Sequence, residues 1–164
     1  MAEKKTIERA QAARRAGKSS STQAGAFVKE QIDHIREGKH GAKSARQAIA
    51  IGLSEARRAG VGVKAPKKGT ASATTRKKAG KDTQAGKHKT QRSASTESKL
   101  TRSATSTRVL KREGTKAASH KSLSKQAHAS ASRRSAADRS ASAKKGWQTR
   151  RKAASKAGAV RHAR

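Results

Sequence analysis

The chain has 164 residues, with 42 Lys and Arg against 10 Asp and Glu, a formal net charge of +32, and aromatic side chains at only 1%. Most of its 31% hydrophobic content is alanine. Burial worth ~25 cal/mol per Å² then falls short of an ordering cost of ~1–2 kcal/mol per residue, which excludes a chain-long core and predicts disorder outside a local nucleus.

Residues 1–23 read as a basic N-terminal tail with a net charge of +4. No apolar stretch marks a secretory signal. The Arg, Ser and Ala content has a trace of a transit peptide, which Glu3 and Glu8 oppose.

Residues 24–63 are predicted to be a small all-α nucleus, a two-helix hairpin, with a net charge of only +3. Val28, Ile32 and Ile35 stand at i, i+4 and i+7 and so share a helix face. Thr22 is the predicted N-cap, and Gly38 or Gly41 the stop. A second helix opens on Ser44-Ala45-Arg46-Gln47, a capping box. Its predicted stripe is Ala45, Ile49, Leu53 and Ala56, and Gly60 after Arg57-Arg58-Ala59 is its predicted end. A hairpin burying about seven side chains is marginal at this size, so self-association through residues 24–63, or a partner, is expected to complete the core.

Residues 64–117 read as a disordered basic linker, and residues 118–164 as an Ala/Ser/Lys/Arg-rich basic tail, transiently helical alone and more so with phosphates. The two together carry +25 of the net charge. Short echoes, such as Ala13-Arg14-Arg15-Ala16-Gly17 with Ala56-Arg57-Arg58-Ala59-Gly60, recur at irregular spacing and read as biased composition rather than repeats.

Few residues carry catalytic chemistry. No cysteine is present, which removes disulfides, thiolate nucleophiles and Cys-based zinc sites. No serine lies in a nucleophile elbow or a phosphate loop. Gly60-Val61-Gly62 follows a helix rather than a strand, so it reads as a cap and exit. Among six histidines His34 lies within the first predicted helix, flanked by Glu30 and Glu37 at helical spacing. Such a pair is far more often a surface ion pair than a metal or acid–base site. The expectation is a protein that is not an enzyme, with no cofactor, metal or small-molecule substrate. No apolar run reaches the ~18 residues of a membrane span.

The charge itself points to a polyanion, since neutralising phosphates releases condensed counterions. The predicted contact residues are Arg76, Lys77, Lys78, Arg133, Arg134, Arg139, Lys144, Lys145, Arg150, Arg151 and Lys152, spaced by Ala, Ser and Gly as a sequence-tolerant phosphate follower requires. Trp147 sits within this run. It has two readings, a ring that stacks on bases or wedges a groove, or a hydrophobic anchor for the tail.

The run Arg46-Gln47-Ala48-Ile49-Ala50-Ile51-Gly52-Leu53-Ser54-Glu55-Ala56-Arg57-Arg58-Ala59-Gly60 resembles the signature of a family of small, basic, uncharacterised bacterial proteins, in which a short helix like Phe27 to Gly41 precedes it. The resemblance covers residues 25–63 and implies a bacterial source and a cytoplasmic site, with no activity attached. The tail resembles linker-histone-like tails in composition. Together these readings predict a histone-like, nucleoid-associated protein that binds nucleic acid non-specifically, DNA in preference to RNA. The alternatives are an RNA- or ribosome-associated protein, and a protein-interaction module localised by its tail.

Overall fold

Alternating short helices and glycine-containing turns set the architecture. The computed structural model describes residues 2–87 and 96–162, with side chains over residues 2–87 and 104–151. The helices run in order α1 (Lys4–Arg15), α2 (Ser20–Arg36), α3 (Ala45–Arg58), α4 (Ala73–Lys87), α5 (Thr96–Arg112), a 3₁₀ turn (Thr115–Ala118), α6 (His120–Ser132) and α7 (Ala136–His162). The chain divides into two units, Met1–Leu123 and Ser124–Arg164.

The first unit is built on the crossing of α2 and α3. The buried positions of α2 include Ala24, Phe27, Gln31 and Ile35, and those of α3 include Ala45, Ala48, Gly52 and Ala56. Both sets follow i, i+3, i+7, i+11, one stripe of a helix. On α3 the stripe consists of small residues, so the two backbones approach closely. A Cβ added to Gly52 would lie 2.7 Å from the Cα of Val28. The predicted faces are therefore rotated. Ile35, Ala45 and Ala56 are buried as expected, but Val28, Ile32, Ile49 and Leu53 are only half-buried and flank the crossing.

Two apolar clusters lie along this pair. In one, Ala24, Phe27, Ala56 and Val61 meet Ala10 of α1, with Ile7 and Leu53 packed against them. In the other, Ile35, Ala42 and Ala48 meet Ala117 and Ala118 of the 3₁₀ turn. α4 packs on α3, where Ser54 Oγ donates to Asp82 Oδ2 at 2.7 Å and Arg58 Nε lies 3.6 Å from Asp82 Oδ1. Gly86 approaches the Arg57 carbonyl so closely that a Cβ there would overlap it.

A two-helix hairpin in a mostly disordered chain is thus corrected. The predicted linker, residues 64–117, contains α4, α5 and most of the 3₁₀ turn, and its residues 88–95 lie outside those described. The physical reason lies in alanine and glycine. Reckoned by side-chain area they contribute little, but they let helices approach until backbone and Cβ atoms fill the space densely. The cover expected from a second copy or a partner comes from the chain's own α1, α4 and 3₁₀ turn.

Backbone bonds tie the distant segments in. Gly41 N–H donates to the Leu110 carbonyl (2.9 Å) and Ala42 N–H to that of Gly114 (3.2 Å), joining the end of α5 to the turn after α2. Arg36 Nε donates to the Ala118 carbonyl at 3.0 Å. Buried Arg57 donates from Nε to the Val63 carbonyl (3.2 Å) and from Nη2 to that of Lys64 (3.1 Å), holding the exit from α3.

Helix ends follow local chemistry. Ser19, rather than Thr22, caps α2, its side chain accepting from Thr22 N–H. Ser44 Oγ accepts from Gln47 N–H at 3.2 Å, while Gln47 Oε1 accepts from Lys43 N–H at 2.8 Å, so the box closes one residue further out. Gly17, Gly38 and Gly60 have φ of +64°, +72° and +88°. The amides after them bond back five residues, Lys18 to Ala13, Lys39 to His34 and Val61 to Ala56, the Schellman arrangement. The Ala-Arg-Arg-Ala-Gly echo, read as compositional bias, is one helix ending used twice.

In the second unit α7 begins at a Ser135 cap, whose Oγ accepts from Asp138 N–H at 3.1 Å. No described side chain of residues 124–151 is buried. The tail expected to be transiently helical forms α6 and α7. With no apolar face to bury, α7 rests on helix-favouring Ala, Lys, Arg and Gln and on its cap.

Candidate nucleic-acid interface

Residues 124–164 contain twelve Lys and Arg and a single acid, Asp138. The carboxylate of Asp138 accepts from Ser135 Oγ at 2.8 Å, so it serves the helix start. Among the described residues, no basic side chain of this unit pairs with a carboxylate; the pairs of Lys29, Lys39 and Arg58 all lie in the first unit.

The predicted contact residues fall into three groups. Arg76, Lys77 and Lys78 lie in the first turns of α4, where Lys77 and Lys78 are exposed and Arg76 is half-buried. Ala79, next to them, is buried and seats the helix. Arg133 and Arg134 occupy the turn before α7, and Arg139 its first turns, all exposed. Arg139 Nη1 donates to the Arg134 carbonyl at 2.8 Å, and Arg134 Nη2 to that of Asp138 at 3.2 Å and to Ser142 Oγ. These bonds hold the side chains of Arg134 and Arg139 at the N-terminus of α7, with Arg133 beside them in sequence.

The third group lies along α7. Lys144 lies three residues before Trp147, and Arg150 and Arg151 three and four after it, so each neighbours the indole on the helix surface. Lys145, two residues before Trp147, lies across the helix. Trp147 is 55% exposed, and the Arg151 guanidinium carbon stands 5.0 Å from the centre of its ring. That is cation–π geometry. The side chain of Lys152 lies outside the described residues.

A second polar cluster belongs to the first unit, and neither sequence spacing nor composition reveals it. The backbone N–H of Glu3 donates to Glu30 Oε1 at 2.8 Å, and Glu3 Oε1 lies 3.0 Å from His34 Nε2. The expected partners of His34 were Glu30 and Glu37; Glu37 turns instead to Lys39, at 2.9 Å. The His34 hydrogen bond, with Lys39 nearby, holds the Glu3 carboxyl below its ordinary range, and the bond to Glu37 raises the Lys39 ammonium. Gln31 Nε2 donates to Glu55 Oε2 at 2.8 Å, and His40 Nε2 lies 3.0 Å from Gln31 Oε1. Burial pushes the Glu55 carboxyl up.

Comparison with protein-family models, curated proteins and solved structures finds no match to this chain. Among the described residues no helix is long and apolar enough to cross a membrane.

Proposed function

We propose that the protein binds duplex DNA without sequence preference, by phosphate neutralisation through the basic residues of α7, the turn before it and α4. The observation that carries this reading is α7 itself. It bears lysines and arginines on all sides, buries none of its described side chains, and has no carboxylate partner for its described cations. A helix polar all round has no intramolecular use for its surface, and closely spaced cations favour a polyanion that releases counterions on binding. Phosphate contacts position a protein without reading bases, so tolerance of sequence follows.

Fluorescence anisotropy with unrelated duplexes of equal length, over a series of salt concentrations, tests this. The expected result is a steep fall of log affinity with log salt, common to all duplexes. A shallow slope or a strong preference for one sequence overturns the reading. A clear preference for RNA of the same length redirects it to the alternative polyanion.

A further inference from the structure

Glu30 is 6% exposed, and while its Oε1 accepts the Glu3 amide, its Oε2 is buried with no hydrogen-bond partner. A bare carboxylate oxygen is an expensive thing to bury. The carboxylate that carries it lies beside two further donor groups, Glu3 at the start of α1 and His34 in the body of α2. One donor atom each from Glu3, Glu30 and His34 lie within 4.8 Å of one another.

We propose that Glu3, Glu30 and His34 bind a divalent transition-metal ion, zinc best matching the donors, that fastens the entry of α1 to α2. Two carboxylate oxygens and one imidazole nitrogen form a borderline donor set, which suits zinc or cobalt better than the all-oxygen preference of calcium or magnesium. Bonds of ~2.0–2.1 Å hold tetrahedral ligands roughly 3.3 Å apart. The Glu3–His34 pair, at 3.0 Å, already stands near that spacing. A Glu30 oxygen within 4.8 Å of both completes the three, and a fourth position stays open for water. The ion would take the place of the proton shared by Glu3 and His34, and would give Glu30 Oε2 its missing partner. Lys39, 3.8 Å from Glu3 Oε1 and half exposed, is the competing cation, and its closer partner is Glu37 at 2.9 Å. The setting is favourable even in so basic a chain. Half of its ten acids, Glu3, Glu30, Asp33, Glu37 and Glu55, belong to α2, α3, their flanks and the start of α1. A core made largely of alanine gains most from such a fastening.

Titration of the untagged full-length protein with zinc chloride, followed by calorimetry, should show one equivalent bound and a raised melting temperature. Glu30→Gln keeps an acceptor for the Glu3 amide but loses the charge. It and His34→Ala should each weaken zinc by roughly tenfold or more and abolish the thermal shift. His120→Ala with His128→Ala, both exposed positions, should change neither. Cobalt added to the wild-type protein provides a readout that needs no variant to fold. The imidazole signals of His34, and more weakly those of His40 at 6.2 Å ring separation, should show the paramagnetic shift. Absence of stoichiometric binding, retention in both site variants, or a cobalt shift confined to other histidines overturns the proposal.

Discussion

Gly52 and Val28 meet at the point where α3 crosses α2, and the missing side chain of Gly52 is what lets them. A Cβ at position 52 would stand 2.7 Å from the Val28 Cα and 2.9 Å from its nitrogen. Backbone atoms cannot swing aside as a flexible side chain does. Gly52→Ala should therefore destabilise the fold by about 1–3 kcal/mol, although alanine is the better helix former. Gly25, in α2, has nothing within 4 Å of the same virtual atom, so Gly25→Ala should stabilise by roughly 0.4–1 kcal/mol. Urea unfolding of both variants measures the difference, and equal signs would show that the crossing is wider than described.

Arg57 is the only arginine among the buried residues described. Its guanidinium satisfies two consecutive carbonyls, Val63 and Lys64, as the chain leaves α3. Arg57→Met keeps much of the apolar stem and loses both bonds. A loss of about 1.5–3 kcal/mol is expected, with faster proteolysis between α3 and α4. Unchanged unfolding and cleavage would mean that solvent replaces the guanidinium at no cost.

Glu55 carries a penalty that depends on pH. Burial raises its carboxyl above the ordinary 4.5 in the folded state, so the folded chain holds that proton more tightly than the unfolded one. Its contribution favours folding at low pH and is lost as pH rises from that value through the raised one. Glu55→Gln cannot ionise and can still accept from Gln31. The variant should gain stability over the wild type at pH 7 and little at pH 4. Denaturant midpoints at both values check this, and a constant difference would place the cause outside ionisation.

Four cations of α7 offer a quantitative test of the proposed DNA contacts. If Lys144, Lys145, Arg150 and Arg151 each neutralise one phosphate, replacing all four by Gln should reduce the slope of log affinity against log salt by about 3.6. Trp147, exposed in the free protein, should emit like a water-exposed indole. Its fluorescence should be quenched by single-stranded DNA if the ring stacks. An unchanged salt slope in the quadruple variant would move the contacts elsewhere.

Helix endings were the most legible part of the fold. Gly38 and Gly60 stop α2 and α3 as expected, and Ser44 with Gln47 opens α3, because caps are decided within a few residues. Ser19 was less visible, since four hydroxyl residues in a row, Ser19 to Thr22, compete for one cap. The buried faces were misjudged by a rotation. Large side chains such as Val28, Ile49 and Leu53 drew the prediction, whereas the closest approach is at Gly52, beside buried Ala48; Ala45 and Ala56 of the expected stripe are buried. Of the interface, the basic residues were readable one by one. The Arg139–Arg134 contact and the Arg151–Trp147 stack needed the turn and helix to be in place.

Charge, the absence of cysteine and the positions of the glycine stops are properties of the sequence by itself. They set the electrostatic character of the chain and where helices begin and end, because such interactions depend on near neighbours or on simple counting. Whether residues 64–117 would pack was decided only by tertiary structure. Gly86 meeting Arg57, Asp82 meeting Ser54, and Ala117 and Ala118 filling the space beside Ile35 are agreements of shape between distant segments. The same holds for Glu3 and His34, 31 residues apart. Small side chains contribute little area alone and gain their effect from how closely two backbones fit, a quantity that composition does not contain.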